Sequence, residues 1–216
     1  MDKEERYIVD HSVPQTPALE WIRRQTNLRT NRARMLSGPV QGAFLTMLVQ
    51  SCGVRRALEI GTFTGYASTC IAMGLPAGHL DSLEINDELV DLIHEGWERA
   101  GVADRITLHV APALQTLAEM SLRLSEGTLE PYDFAYIDAN KREYTAYYEA
   151  VLPLMRPGGL ILADNTLWDG KILEDPMPVD AQTVEIARFN DHVAADPRVS
   201  VVLLPLRDGL SLIRKK

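Results

Sequence analysis

The sequence predicts an α/β protein built on one mostly parallel sheet with helices on both faces. Two observations predict it. Short apolar runs rich in β-formers alternate with helix-length segments from about residue 51 to residue 195. Strand–helix alternation of this kind implies parallel strands joined by right-handed crossovers. The last two β-rich runs, 199–204 and 210–214, are joined only by residues 205–209. So short a gap holds no crossover helix, so these two runs pair antiparallel.

The elements follow in order. Residues 1–50 read as helical, punctuated by Pro14 and Pro17 and broken at Gly38-Pro39. Residues 56–60 form the first strand, and 65–74 the helix after it. Strand 79–85 precedes a helix over 87–100, with Asn86 or Asp87 as N-cap and Gly101 as its stop. A third strand covers 105–110, a helix 113–124, and a fourth strand 132–137. Residues 143–155 read as one helix. Pro157-Gly158-Gly159 then turns the chain into a fifth strand, 160–163. A helix over 180–195 is stopped by Asp196-Pro197. With the final pair, the reading is a seven-stranded, Rossmann-like, mostly parallel sheet with an antiparallel last strand. A single domain over 1–216 is expected, with a helical N-terminal region (1–50) and a core (51–216). In such sheets ligands bind beyond the carboxyl ends of the strands, at the switch point.

Composition narrows the function classes. Hydrophobic residues make up 46% and charged residues 24%, an ordinary globular balance. The net charge of −8 argues against a nucleic-acid footprint, which needs a basic face. Arg23-Arg24, the stretch 29–34 and the tail Arg214-Lys215-Lys216 read as solvated. No apolar stretch approaches a membrane span, and the start Met1-Asp2-Lys3-Glu4-Glu5-Arg6 lacks a signal-peptide core. Cys52 and Cys70 are too few for a disulfide framework and read as free thiols in a reducing cytoplasm. A small-molecule substrate is the natural partner, with neither nucleic acid nor membrane.

Two motifs carry chemistry. The first is Glu59-Ile60-Gly61-Thr62-Phe63-Thr64-Gly65-Tyr66, a glycine-bearing turn after an apolar run. Gly61 and Gly65 let backbone approach a ligand, and the following helix offers free N–H groups to an anion. The G-x-G-x-x-G fingerprint of dinucleotide sites is missing, while Glu84 at the next strand end suits a ribose. A ribose, an amino-acid end and no phosphates describe S-adenosylmethionine. The plain alternative is a tight strand–helix turn with Glu84 exposed.

The second motif is Asp138-Ala139-Asn140-Lys141, answered by Asp164-Asn165 at the next strand end. If the two strands are neighbours, three oxygen donors converge. Such a set suits Mg²⁺, Ca²⁺ or Mn²⁺ rather than zinc. His11, His79, His94, His109 and His192 show no zinc spacing. The alternative is that these side chains merely cap turns. Lys141 reads either as a proton acceptor, its pKa depressed by a nearby cation, or as a surface or ion-paired lysine. Trp168 is an aromatic wall or core. Tyr144, Tyr147 and Tyr148 have helical spacing and read as packing, and Met35 and Met47 as core.

On these residues the chain resembles the cation-dependent class I O-methyltransferases related to the caffeoyl-CoA and catechol enzymes. The matching pieces are Gly42-Ala43-Phe44-Leu45, the string from Glu59 to Tyr66, Asp138-Ala139-Asn140-Lys141 and Asp164-Asn165-Thr166-Leu167-Trp168, in order over roughly 35–216. The resemblance implies that Asp138, Asp164 and Asn165 hold the metal and that Lys141 is the general base. It implies that Glu59, Gly61 and Thr62, with Phe63 and Gly65 in the same turn, grip the amino-acid end of S-adenosylmethionine. Ser37 matches a donor contact, Glu84 the ribose ligand, Ala113 an adenine contact, and Asp138 borders donor and metal alike. Trp168 and Asp169 fall where a loop approaches the substrate ring. Ala67 stands where many relatives have a donor-contacting serine, and Asn140 replaces a common aspartate. A catechol-type acceptor and a homodimer are further implications. The rival readings are a nicotinamide-dependent oxidoreductase, a non-catalytic binding protein on the same fold, and a cation-independent methyltransferase.

Overall fold

The computed structural model describes residues 3–216; the first two residues of the charged start, Met1 and Asp2, lie outside the described residues. The N-terminal region is helical: α1 (Lys3–Asp10), α2 (Pro17–Arg29) and α3 (Pro39–Ser51). Proline opens both α2 and α3, where its missing N–H costs nothing. Thr16 caps α2 by accepting from the Leu19 amide at 3.3 Å. Then the chain alternates through β1 (Arg56–Ile60), α4 (Tyr66–Met73), β2 (His79–Glu84), α5 (Val90–Ala100), β3 (Ile106–Val110), α6 (Ala113–Ser125) and β4 (Tyr132–Ile137). It continues with α7 (Tyr144–Val151), β5 (Met155–Asp164), α8 (Ala181–Ala195), β6 (Val199–Leu204) and β7 (Leu210–Lys215).

The seven strands lie in the order β3-β2-β1-β4-β5-β7-β6. Six run parallel; β7 is antiparallel to both of its neighbours, β5 and β6, as the short final connection requires. The order reverses between β1 and β4, whose carboxyl ends open the crevice where such sheets bind ligands.

Strand alternation sorts side chains onto two cores. On one face Ala57, Phe134, Tyr136 and Leu162 pack with Ile22 of α2, Leu45 of α3, Ile71 of α4 and Trp97 of α5. On the other, Leu58, Ala135, Ile137 and Ile161 pack with Leu117 of α6, Tyr148 of α7 and Phe189 of α8. Helices therefore cover both faces. Among the described residues no helix is long and apolar enough to cross a membrane.

Four local expectations are corrected. Helix α5 starts at Val90, not Asp87, because Asn86 spends its side chain on a local turn, accepting from the Glu88 amide at 3.0 Å. The helix expected over 143–155 is a 3₁₀ turn (Lys141–Glu143), α7 and a second 3₁₀ turn (Leu152–Leu154), with strand beginning at Met155. Pro153 supplies no N–H to continue the helix and biases Leu152 against it. Strand β5 runs through Pro157-Gly158-Gly159 rather than starting after it, its register against β4 shifting between Tyr132 and Phe134. Met35 and Met47, expected in the core, are 52% and 57% exposed. Cys52 and Cys70 are free thiols, as expected.

At the crevice the chains approach closely. Gly61 has φ +99°, and a Cβ there would overlap the carbonyl oxygen of Asp138. Gly61→Ala is expected to destabilise the fold by about 2–3 kcal/mol, from overpacking on backbone plus left-handed strain. Gly101→Ala, with φ +66° but open space around the Cβ, should cost about 1 kcal/mol. Urea unfolding of both variants checks this; equal losses would contradict the close-approach argument.

Candidate active site

The glycine turn leaves β1 with its backbone fixed on neighbouring strand ends. The Gly61 amide donates to the Leu83 carbonyl at 2.9 Å, and the Asp138 amide to the Ile60 carbonyl at 2.9 Å. Phe63 adopts a left-handed φ of 53°, a conformation disfavoured for a residue with a side chain. The Glu84 carboxylate secures it: Oε2 accepts from the Phe63 amide at 2.7 Å, while Oε1 accepts from the Ile85 and Asn86 amides, each at 2.9 Å. Glu84 is half-buried. The turn then opens α4 through Gly65, which precedes its first residue in left-handed geometry. Ala67 lies buried in that first turn, and Ala113 begins α6. At both places helix geometry leaves N–H groups without an intrahelical acceptor.

Glu59, the last polar residue of β1, is fully buried. Ser82 donates to its Oε2 at 2.5 Å, and the Thr62 and Ser82 hydroxyls lie 2.6 Å apart. Its Oε1 is buried with no hydrogen-bond partner among the described residues. A buried acceptor without a donor is costly. Burial is the main reason the Glu59 carboxyl is pushed up from an ordinary 4.5 to about 8; the Ser82 hydrogen bond opposes the shift and the charges of Asp138 and Glu84 add to it. A buried carboxyl with one unpartnered oxygen thus lies two residues before Gly61.

One strand over lie the acidic residues. In the β4–β5 register Ile137 faces Ala163, so Asp138 and Asp164 follow side by side at the strand ends. Asp164 is buried; its Oδ2 accepts from Gln41 Nε2 at 2.6 Å and from the Tyr136 hydroxyl at 2.7 Å. Its Oδ1 accepts from the Asn165 amide at 2.8 Å. Burial first, and the neighbouring Asp138 charge second, push the Asp164 carboxyl above the usual range, with Lys141 opposing. Asn165 has a left-handed φ of 59°, and its Nδ2 donates to Asp208 Oδ2 at 3.2 Å. The structure therefore brings together all three residues expected to ligate a metal. The set offers only oxygen ligands, which suits hard cations.

Lys141 is buried, and its Nζ donates to Asp138 Oδ1 at 2.8 Å and to the Tyr144 hydroxyl. Tyr144 in turn donates to the Asp164 carbonyl at 2.8 Å. Of the two expected states of Lys141, the one seen is the ion-paired lysine. Tyr144 departs from the expectation of plain packing: its ring is in the core, but its hydroxyl ties Lys141 to the end of β5. Tyr147 and Tyr148 pack as expected. Asn140 is exposed and caps the 3₁₀ turn, accepting from the Arg142 amide at 3.3 Å. Ser37 is buried, and its carbonyl accepts from Arg207.

Trp168 and Asp169 lie on the loop after Asn165, both with φ 52°. Trp168 packs against the α7–α8 core, with Lys171 Nζ 5.6 Å from its ring. The Asp169 amide donates to Asp208 Oδ1 at 2.5 Å.

Sequence reasoning missed Gln41, Tyr136, Tyr144 and Asp208. Gln41 had a signal: it is a lone amide in the first turn of the apolar helix α3. The other three look like a strand aromatic, a helix aromatic and a turn residue. Away from the crevice, Glu149, His192 and Asp196 also cluster, but Arg198 donates to Glu149 at 2.7 Å and to Asp196 at 2.6 Å, making an ion-pair group.

Glu59 links stability to pH. Between 4.5 and about 8 the folded protein keeps a proton that the unfolded chain has released, so this group's stabilising contribution is lost as pH rises through that window. Glu59→Gln keeps the acceptor for Ser82 and removes the titration. Urea midpoints from pH 5 to 8.5 should diverge, the variant gaining on the wild type with rising pH by a total on the order of a few kcal/mol. Parallel curves would contradict a buried carboxyl that holds its proton.

Comparisons with known proteins agree on one relationship. A family model described as O-methyltransferase matches residues 9–216. The chain is 38% identical over 212 residues to catechol O-methyltransferase domain-containing protein 1 of Mus musculus, covering 97% of this chain and 79% of that one. It is 34% identical over 210 residues to probable caffeoyl-CoA O-methyltransferase 2 of Dictyostelium discoideum, covering 97% and 90%. Among solved structures, an O-methyltransferase from Bacillus cereus in complex with SAH superposes with a TM-score of 0.85 at 34% identity, covering 99% and 97%. TomG from Streptomyces achromogenes, an O-methyltransferase in complex with SAM, reaches 0.88 at 28% identity over the whole of both chains. With the family match running from α1 through β7 to residue 216, the chain belongs to the O-methyltransferase family.

Proposed function

We propose that this enzyme transfers a methyl group from S-adenosylmethionine to one hydroxyl of a catechol-type small phenol, using a divalent cation held by Asp138, Asp164 and Asn165. Mg²⁺ is the proposed ion, with Ca²⁺ or Mn²⁺ as its chemical equivalents. The observation that carries the reading is the side-by-side placement of Asp138 and Asp164, with Asn165 adjoining, one strand from a buried carboxyl with an unpartnered oxygen. The donor set fits a cation: burial and mutual repulsion raise Asp164 in the protein alone, and a positive ion would relieve both. Relatives named for methylation of caffeoyl-CoA and catechol point to the same acceptor class.

When bound, the donor supplies a sulfonium methyl and the cation lowers the pKa of a coordinated hydroxyl. The rest belongs to the chain's own residues. Glu59 Oε1 is the acceptor for the donor's ammonium group. Glu84 keeps one lone pair, on Oε2, for a ribose hydroxyl beyond its three backbone contacts. Gly61, Thr62, Phe63, Gly65 and Ala67 line the turn where backbone meets the donor, with Ser37 and Ala113 at its margins. Asp138 stands between the two halves, and Trp168 and Asp169 flank the acceptor ring. Lys141 Nζ would receive the acceptor hydroxyl's proton after giving up its own ammonium proton to solvent, as a general base must. Holding both reactants in line removes the entropy cost of their encounter, and this alignment is the main source of acceleration. The free thiols suit the cytoplasm, and a homodimer is the assembly the family resemblance implies.

Asp164→Asn keeps the side chain's shape. Its turnover of a vicinal diphenol should fall below detection while donor affinity, by calorimetry, stays within about threefold of wild type. Excess chelator should have the same effect on the wild type, and Mg²⁺ should restore it. Full activity in chelator would remove the cation.

Lys141→Ala should lower kcat by about 10²–10⁴-fold with donor affinity nearly unchanged. Lys141→Arg should not rescue it, since a guanidinium does not release its proton in proteins. Unchanged kcat in Lys141→Ala would remove Lys141 as the base.

A further inference from the structure

We infer that Asp208, in the turn between β6 and β7, is a positioning residue that fixes which end of the Asn165 side chain faces the acidic pair and seats the Trp168–Asp169 loop. This rests on the proposed cation role of Asn165. Sequence reading treats residues 205–209 only as a hairpin connector.

The turn is docked on the loop after β5 along its length. The Leu167 amide donates to the Asp208 carbonyl at 2.8 Å, and the Thr166 amide to the Gly209 carbonyl at 3.1 Å. Gly209 has φ +84°, and a Cβ there would lie 2.6 Å from the Leu167 amide nitrogen. The Asp208 side chain completes the grip, accepting from Asn165 Nδ2 at 3.2 Å through Oδ2 and from the Asp169 amide at 2.5 Å through Oδ1. Asn165, Trp168 and Asp169 all adopt left-handed φ, a conformation that side chains disfavour. Such a loop keeps its shape only when neighbours over-determine it, and Asp208 binds it at two points.

Chemistry makes the contact directional. An ionised carboxylate only accepts hydrogen bonds, so Asn165 must present its NH₂ to Asp208. The carbonyl Oδ1 is then the end left for a hard cation. Without Asp208 the amide is free to turn over and offer the NH₂, which has no lone pair to ligate.

The test is Mn²⁺ binding to the full-length protein, read from the free-ion electron paramagnetic resonance signal, with S-adenosylmethionine affinity measured in parallel by calorimetry. Asp208→Ala should weaken Mn²⁺ binding by about 10- to 100-fold and leave donor affinity within about threefold. In an Asn165→Asp background both ends of residue 165 are oxygen, so there Asp208→Ala should weaken Mn²⁺ far less, through the loss of one nearby charge and loop contact only. If Asp208→Ala does not fold, Asp208→Leu, which keeps the bulk and offers no acceptor, is read by the same criteria. Unchanged Mn²⁺ affinity in Asp208→Ala, or an equal loss in both backgrounds, would overturn the orienting role. A wild type that binds no Mn²⁺ would instead end the cation reading on which the inference stands.

Discussion

The register of β4 against β5 is the constraint on which the crevice depends. Ile137 pairs with Ala163, so the residue after each is an aspartate at the same height. Residues 134–137 of β4 and 160–163 of β5 are apolar on both faces. A one-residue slip would exchange the faces on which Tyr136, Leu162 and Asp164 lie for those of Ile137, Ile161 and Ala163. The cores on the two sides of the sheet therefore hold in place a pair of carboxylates that repel each other.

That repulsion is managed from elements distant in sequence. Gln41 on α3 donates to Asp164 and to the Tyr136 hydroxyl, and its own Oε1 accepts from Arg207 at 2.9 Å. Lys141 and Tyr144 link Asp138 to the end of β5 from the opposite core. Hydrogen bonds of this kind are strong where dielectric is low, and the same low dielectric makes each unmet group costly. The site is a cooperative polar network set into apolar packing. The N-terminal region takes part in it through α3 and is more than a cover for the sheet.

Much of the fold was legible because its signals are local. Strand–helix alternation, Gly101 as a helix stop and the five residues before Leu210 each act within a few positions. The errors came where local signals compete, as at 143–155, where an apolar segment switches from helix to strand around Pro153. The side chains of the two motifs were legible because strand ends in a parallel sheet converge whatever lies between them. Asp208 and Tyr136 were not, since their roles come from the β5–β7 and β4–β5 pairings rather than from their neighbours in sequence. Glu59 was legible as a motif residue, but its unpartnered oxygen appears only once β1 and β2 are side by side.

A crystal structure of the protein grown with Mn²⁺, with an anomalous map at the manganese edge, would show whether the ends of β4 and β5 hold a cation. One strong peak is expected at about 2.0–2.4 Å from oxygens of Asp138, Asp164 and Asn165, with Lys141 Nζ displaced from Asp138 Oδ1. A map with no peak there, or with its only peak at Glu149, His192 and Asp196, would contradict a cation role for these strand ends.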